Sequence, residues 1–125
     1  MGLDHIIQGV NSITPKSILE YCIECNMIAT SKGWWEDINT VEFDGETDVF
    51  NDYIYATKLA LISSEVSEAI EDLRADDMTH LGEELADIAI RLFDFSHQLE
   101  INLEREIDRK MEINKGRPYK HGKRF

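Results

Sequence analysis

Two pairs of carboxylate residues are the clearest candidates for chemistry in this 125-residue sequence, and the members of each pair are three positions apart. Glu65 and Glu68 form an E-x-x-E pair, and after fifteen residues Glu84 and Asp87 form an E-x-x-D pair. Residues three apart lie on neighbouring turns of one helix face. Four crowded acids would raise one another's pKa unless a cation neutralised them. All-oxygen ligands are typical of Mg²⁺, with Mn²⁺ as the alternative, so the pattern predicts a divalent metal site.

Two long predicted helices must position these acids. Apolar residues recur at three- and four-residue steps from about Val49 to Leu73, and again from a predicted cap at Thr79 to Leu99. A connection near residues 75–79 is short enough to make the two helices antiparallel, which would bring all four carboxylates together. The predicted inward residues are Tyr55, Leu59, Ile62, Val66, Ala69 and Leu73 in one helix, and Leu81, Leu85, Ile88, Leu92, Phe95 and Leu99 in the other.

Two shorter helices are predicted on either side of this pair. Thr14 followed by Pro15 predicts the start of a first helix that stops at Gly33, and residues 33–48 predict a connecting loop. Asn102 is a predicted cap for a last helix, whose inward residues are Leu103, Ile107 and Met111. No segment predicts a strand. The fold class is therefore predicted as all-α, a four- to five-helix bundle with an antiparallel acidic helix pair, in a single domain spanning residues 1–125.

Charge and hydropathy restrict the partners of the chain. Its formal net charge of −12 would repel DNA, RNA and anionic lipid, so neither a nucleic acid polymer nor a membrane is an expected partner. No apolar run is long enough to span a bilayer and no signal-peptide pattern is present, so we expect a cytoplasmic protein. The charge is uneven, because residues 115–125 hold five basic side chains and no acid.

Some apolar residues fall outside the main stripes of the two long helices. They are Ile54, Leu61, Ile90 and Phe93. On a lone helical unit they would leave apolar surface exposed to water. We therefore expect a homo-oligomer, a homodimer or a homotetramer.

Other metal and cysteine sites fit the sequence less well. A di-iron centre needs Glu-x-x-His pairs, whereas the nearest patterns here begin with Asp77 and Asp94. The acids of residues 33–48 lack the order of a calcium-binding EF-hand loop. Cys22 and Cys25 have no second pair with which to bind zinc, so they are interpreted as ordinary thiols. One isolated pair of carboxylates on a helix could be only a solvated acidic surface. Two pairs at matching positions along adjacent helices favour a metal site.

The motifs resemble one known family. The sequence reads EVSE, fifteen residues, then ELAD, and the likeness extends through EVSEAIEDLR, GEELADIAIRLFDF and KMEINKGRPYKHGKRF. These stretches resemble the MazG-like branch of the all-α nucleoside triphosphate pyrophosphohydrolases over about residues 55–125. The resemblance implies hydrolysis of a (d)NTP to a (d)NMP and pyrophosphate, in house-cleaning of the nucleotide pool. It also implies that Glu65, Glu68, Glu84 and Asp87 are the metal ligands.

Further residues are candidates for holding the substrate. Lys110, Asn114, Arg117 and Lys120 match the basic C-terminal pattern of the family and would grip the triphosphate. Lys58 lies on the acidic stripe and could act similarly, or pair with a neighbouring acid. Trp35 could stack on a base. Which carboxylate would act as general base is open.

Two alternative functions remain at this point. Phosphoribosyl-ATP pyrophosphohydrolase shares the acidic helix pair and cleaves the same bond, but the tryptophan-containing first third and RPYKHG fit the MazG-like group better. The second alternative is a non-catalytic helical module whose acidic flank binds a basic partner protein. It would be fully stable without metal, and nucleotides would not affect its melting.

Overall fold

A computed structural model describes residues 14–38 and 46–125, without the side chains of residues 46–48. Its regular structure consists of α1 (Ile18–Ser31), α2 (Glu46–Arg74), α3 (Met78–Gln98), α4 (Leu103–Lys115) and a 3-10 helix (Tyr119–Gly122). These residues contain no strand. The prediction of an all-α fold is thus confirmed. Part of the predicted loop over residues 33–48 lies outside the described residues, and α2 begins earlier than the apolar pattern indicated.

The helix starts show which polar residues act as caps. Ser17 caps α1: its hydroxyl accepts from the backbone N–H of Glu20, whose carboxylate accepts from the backbone N–H of Ser17. This capping box stabilises the first turn, so the predicted cap at Thr14 is wrong. Asp77, not Thr79, caps α3 by accepting from the N–H of His80. The predicted cap at Asn102 is confirmed by its bond from the N–H of Arg105.

Helix α3 lies at the centre of the structure. Helices α1 and α2 each pack against α3 and do not pack against one another, while α4 touches α1 and the end of α3. Only residues 75–77 join α2 to α3, so the chain reverses direction there and the two helices pack side by side. The carboxylates of the two motifs therefore lie on adjacent helices.

The seam between α2 and α3 is more polar than the sequence pattern predicted. The half-buried or buried residues of α2 include Lys58, Ile62, Glu65, Ala69 and Asp72, which recur at helical spacing on the side of α3. Leu59, Val66 and Leu73 were predicted to point inward, but they are 49%, 45% and 58% exposed. The same correction applies to Leu85, Leu92 and Met111. The spacing of apolar residues identified the apolar stripe of α2. It did not show that α2 contacts α3 through the adjacent, more polar stripe.

The apolar side chains left outside form one surface, which we call the outer apolar face. Its members are Leu59, Val66, Ile70 and Leu73 of α2 and Met78, Leu85 and Leu92 of α3, all exposed. Val66 follows Glu65 by one residue, and Leu85 follows Glu84 by one residue. Each is therefore rotated by about 100° around its own helix axis, in the same sense, from the neighbouring glutamate. Because α2 and α3 run in opposite directions, both stripes lie on one side of the helix pair, turned away from Glu68 and Asp87.

The interior of the described part of the chain is small. Cys22, Cys25, Trp35, Ala69 and Ser96 are the buried residues of the described chain. Of the residues proposed from the sequence to leave apolar surface, Ile90 is exposed, while Ile54, Leu61 and Phe93 are half-buried. None of the described helices combines the length and the apolarity required to cross a bilayer.

Candidate metal and nucleotide site

Three of the four predicted acidic residues meet where α2 packs against α3. Glu65 of α2 and Glu84 and Asp87 of α3 each offer a carboxylate oxygen, and these oxygens all lie within 4.8 Å of one another. We call these three residues the acidic cluster. Glu84 Oε2 is buried and accepts no hydrogen bond within the described part of the chain. Such a buried oxygen is costly unless a proton or a cation satisfies it.

The crowding of these acids changes the ionisation of Glu84. The neighbouring Glu65 carboxyl, through a shared hydrogen bond, raises the pKa of Glu84 to about 7, and burial and the negative charge of Glu68 act in the same direction. Glu68 is therefore near enough to belong to the same electrostatic site, although it is itself exposed. Around neutral pH the Glu84 carboxyl therefore exchanges between its protonated and ionised forms, and a cation could replace the proton.

Arg91 supplies positive charge at the edge of the acidic cluster. Its Nε lies 3.3 Å from Oε1 of Glu65, whose side chain is only 13% exposed. The sequence interpretation gave this arginine no role. The sequence feature that could have identified Arg91 is its position one helical turn after Asp87, on the same face of α3.

The donor set of the acidic cluster fits Mg²⁺. All the donors are carboxylate oxygens, the ligand type that hard divalent cations prefer. The three oxygens lie within 4.8 Å of one another, so Glu65, Glu84 and Asp87 could bind one divalent cation together, with water or substrate supplying the remaining ligands. The unsatisfied Glu84 oxygen agrees with this assignment.

A pocket of about 330 Å³ opens beside the acidic cluster, at the lower end of the usual range for small-molecule sites. Helix α1 and the residues after it form one wall, and α2 and α3 form the other. The lining residues are Cys25, Ile28, Ala29, Trp34, Lys58, Asp87, Ile90 and Arg91. The lining therefore combines apolar side chains, mainly from α1, with the charged side chains of Lys58, Asp87 and Arg91.

Lys58 and Trp34 are held together at the mouth of this pocket. The Lys58 ammonium donates a 2.7 Å hydrogen bond to the backbone carbonyl of Trp34, and it lies 5.4 Å from the Trp34 ring centre and 4.9 Å from that of Trp35. Gly33 precedes them with φ at +86°, a left-handed conformation that turns the chain after α1. The predicted substrate residue Lys58 thus lines the pocket and also fixes the turn.

The two tryptophans have different surroundings. Trp35 is 7% exposed, its Nε1 donates a 2.9 Å hydrogen bond to Asp94, and its ring lies 6.4 Å from that of Tyr55. Asp94 also accepts from Asn26, so this network ties the turn and α1 to α3. Trp34 is 56% exposed and lines the pocket. The aromatic surface available to a ligand therefore belongs to Trp34, which the sequence interpretation did not select.

The predicted phosphate-binding residues of the C-terminal part are not brought to the acidic cluster within one chain. Lys110, Asn114, Arg117 and Lys120 are all exposed. Arg117 contacts His121, and Lys120 lies over the Tyr119 ring, both within the same segment. Within residues 14–38 and 46–125, no hydrogen bond or ion pair joins these four residues to α2 or α3.

A second and larger cavity, of about 420 Å³, lies at the other end of α3. Its lining residues are Leu19, Asn26, His97, Gln98, Glu100, Ile101 and Asn102. It contains a single carboxylate and lies away from both acidic motifs. We therefore assign the candidate site to the smaller pocket beside the acidic cluster.

Comparisons with known proteins found no match for this chain among protein-family models, curated proteins or solved structures. The candidate site is accordingly interpreted from its own geometry and from the motif resemblance described above.

Proposed function

We propose that the chain is a Mg²⁺-dependent nucleoside triphosphate pyrophosphohydrolase that converts a (d)NTP into a (d)NMP and pyrophosphate. The observation that carries the proposal is the acidic cluster of Glu65, Glu84 and Asp87, with its unsatisfied buried oxygen, beside a pocket lined by both apolar and charged side chains. A nucleotide combines an anionic phosphate chain with a flat base, so it would use both kinds of lining. The resemblance of the EVSE and ELAD motifs supports the same reaction.

In this proposal the two acidic motifs of the antiparallel pair α2 and α3 hold the cation. Glu65, Glu68, Glu84 and Asp87 would be the ligands of Mg²⁺, or of Mn²⁺ in its place. When bound, the ion would neutralise phosphate oxygens and lower the pKa of an attacking water. Displacing the proton of Glu84 would leave that carboxylate fully ionised.

Other residues of the pocket would bind and orient the nucleotide. Arg91 and Lys58 bring positive charge to the pocket, where they would hold the phosphate chain. Trp34 would stack on the base, taking the role that the sequence interpretation gave to Trp35. Ile28 and Ile90 would exclude water from the base. The role of the reaction would be to remove surplus or non-canonical nucleotides.

We also propose that the working protein is a homo-oligomer. The outer apolar face of a single chain exposes seven large apolar side chains on one side of α2 and α3. Contiguous apolar surface of this kind is normally covered in a stable protein. Packing two such faces together would build a bundle of four helices from two chains and leave both acidic clusters on its outside.

The reaction is tested by incubating the purified protein with a panel of NTPs, dNTPs and phosphoribosyl-ATP, with and without Mg²⁺. We expect monophosphate and pyrophosphate in equal amounts from NTPs or dNTPs, and only when Mg²⁺ is present. Nucleoside diphosphate with inorganic phosphate would contradict the bond assignment. Exclusive turnover of phosphoribosyl-ATP would favour that alternative, and no turnover of any nucleotide would favour the non-catalytic binding module.

A further inference from the structure

The C-terminal part of the chain leaves the body of the protein. Every residue from 108 to 125 is exposed, including the apolar Met111 and Ile113 of α4. The first turns of α4 are anchored, because Leu103 and Ile107 are half-buried where α4 meets α1 and α3. The polar contacts of residues 110–125 that the structure describes are internal, such as Lys115 with Glu112. We call residues 108–125 the C-terminal arm.

The charge of the arm is opposite to that of the rest of the chain. It holds seven basic and two acidic side chains, a net charge of +5, whereas residues 1–107 carry −17. Lys110 and Asn114 are four residues apart on one face of α4, and Arg117 follows the C-cap Gly116. A surface of this composition attracts anionic protein surface and phosphate.

The acidic side of α2 and α3 is the surface with the complementary charge. Glu68 and Asp87 are exposed there, next to the half-buried Glu65 and Glu84. A single positive partner contacts the acidic cluster among the described residues, the Arg91 guanidinium beside Glu65. Helix α4, which leads into the arm of the same chain, follows the far end of α3, about eleven residues or roughly 16 Å along the helix from Asp87.

We propose that the arm of one chain lies across the acidic side of a second copy and completes its site. The carboxylates would then come from one chain, and the phosphate-binding Lys110 and Arg117 from the other. The inference rests on the proposed function for the role of these cations, but the contact between copies stands without it. It explains why the arm is exposed in a single chain and why its charge opposes that of the body. Met111 and Ile113 would be covered by the same contact.

The contact is tested by zero-length carbodiimide cross-linking, which joins lysines to carboxylates in direct contact. Natural-abundance and ¹⁵N-labelled chains are mixed, unfolded and refolded together, cross-linked without nucleotide, and digested for mass spectrometry. We expect mixed-label peptides that join Lys110, Lys115 or Lys120 of one chain to acids of α2 or α3 of the other. Arm-to-body links confined to chains of one label, or the absence of such links, would overturn the inference whether or not the protein is an enzyme.

The shared site is tested by complementation. Glu68→Gln and the double variant Lys110→Ala/Arg117→Ala should each be nearly inactive. In a refolded equal mixture, mixed dimers join intact carboxylates to an intact arm, so activity should recover to about a quarter of the wild-type value. The control mixture of Glu68→Gln with Asp87→Asn contains no intact set of carboxylates and should not recover. If the first mixture shows no more activity than its components while the wild-type enzyme is active, the arm acts within its own chain and the inference is overturned.

Discussion

At the scale of single residues, the ionisation of Glu84 makes the stability of the fold depend on pH. Its pKa is raised from the ordinary 4.5 to about 7, mainly by Glu65, so the folded chain binds this proton more tightly than the unfolded chain does. The resulting stabilisation is fully present below pH 4.5 and is lost as the pH rises to about 7. The sequence showed that acids would be crowded, but not which of them would have the raised pKa.

The first prediction follows from this linkage. Without metal, the contribution of Glu84 should make the free energy of unfolding fall between about pH 4.5 and pH 7. The variant Glu84→Gln cannot ionise and should lose that part of the pH dependence, whereas Glu83→Gln, at an exposed neighbour, should keep it. Urea unfolding at several pH values measures the difference. Identical profiles for Glu84→Gln and the wild type would contradict the raised pKa.

The two adjacent tryptophans give the second prediction. Trp35→Phe keeps a ring but removes the hydrogen bond to Asp94, and it should destabilise the fold by about 1.5–3 kcal/mol without changing KM. Trp34→Ala should leave stability nearly unchanged and raise KM about tenfold, because it removes a stacking surface. Thermal unfolding and steady-state kinetics separate the two effects. A higher KM for Trp35→Phe with none for Trp34→Ala would reverse the assignment.

The helices themselves show what periodicity can and cannot predict. The four described α-helices and the cap at Asn102 follow from apolar spacing and a capping side chain. The face with which α2 contacts α3 could not be predicted in the same way, because an apolar stripe and a polar stripe both run along α2 and only tertiary contact decides between them. As a result, Leu59 and Val66 are exposed whereas Glu65 is half-buried. The convergence of Glu65, Glu84 and Asp87 could be predicted because the two motifs have the same spacing and lie at similar distances from the short connection.

The third prediction concerns the start of α1. Ser17→Ala removes one half of the capping box and should lower the free energy of unfolding by about 1 kcal/mol. Thr14→Ala, at the residue that the sequence pattern favoured, lies outside the helix and should change it by less than about 0.5 kcal/mol. Chemical denaturation measures both variants. A larger loss for Thr14→Ala would mean that α1 begins earlier than described.

At the scale of the whole molecule, the described part of a single chain encloses little. Few of its residues are buried, and α3 has α1 and α2 beside it while the side chains of the outer apolar face stay exposed. The sequence correctly indicated that apolar surface would remain, but it placed that surface on Ile54, Leu61, Ile90 and Phe93, of which only Ile90 is exposed. Which apolar side chains stay exposed depends on the rotation of α2 about its axis relative to α3. That rotation is determined by packing and not by composition.

The fourth prediction tests the outer apolar face. Wild-type protein should have a light-scattering mass that is a multiple of 14.4 kDa. Ile70→Asp would bury an unpaired charge if that face is covered, and it should therefore lower the mass to that of one chain. Met27→Asp replaces an apolar residue on α1 that is also exposed, 65% against 48% for Ile70, and serves as the control. A wild-type mass of one chain, or no change in Ile70→Asp, would contradict the proposed assembly.

The central claim is that the acidic cluster performs metal-dependent hydrolysis of a nucleotide. The measurement that tests it most directly is the Mg²⁺-dependent rate of pyrophosphate release by Asp87→Asn, compared with Glu83→Gln on the same helix. Both substitutions remove one negative charge with little change of shape, but Asp87 alone belongs to the acidic cluster. We predict a rate about 10²- to 10³-fold lower for Asp87→Asn and a rate near the wild-type value for Glu83→Gln. Equal rates in the two variants would contradict the account.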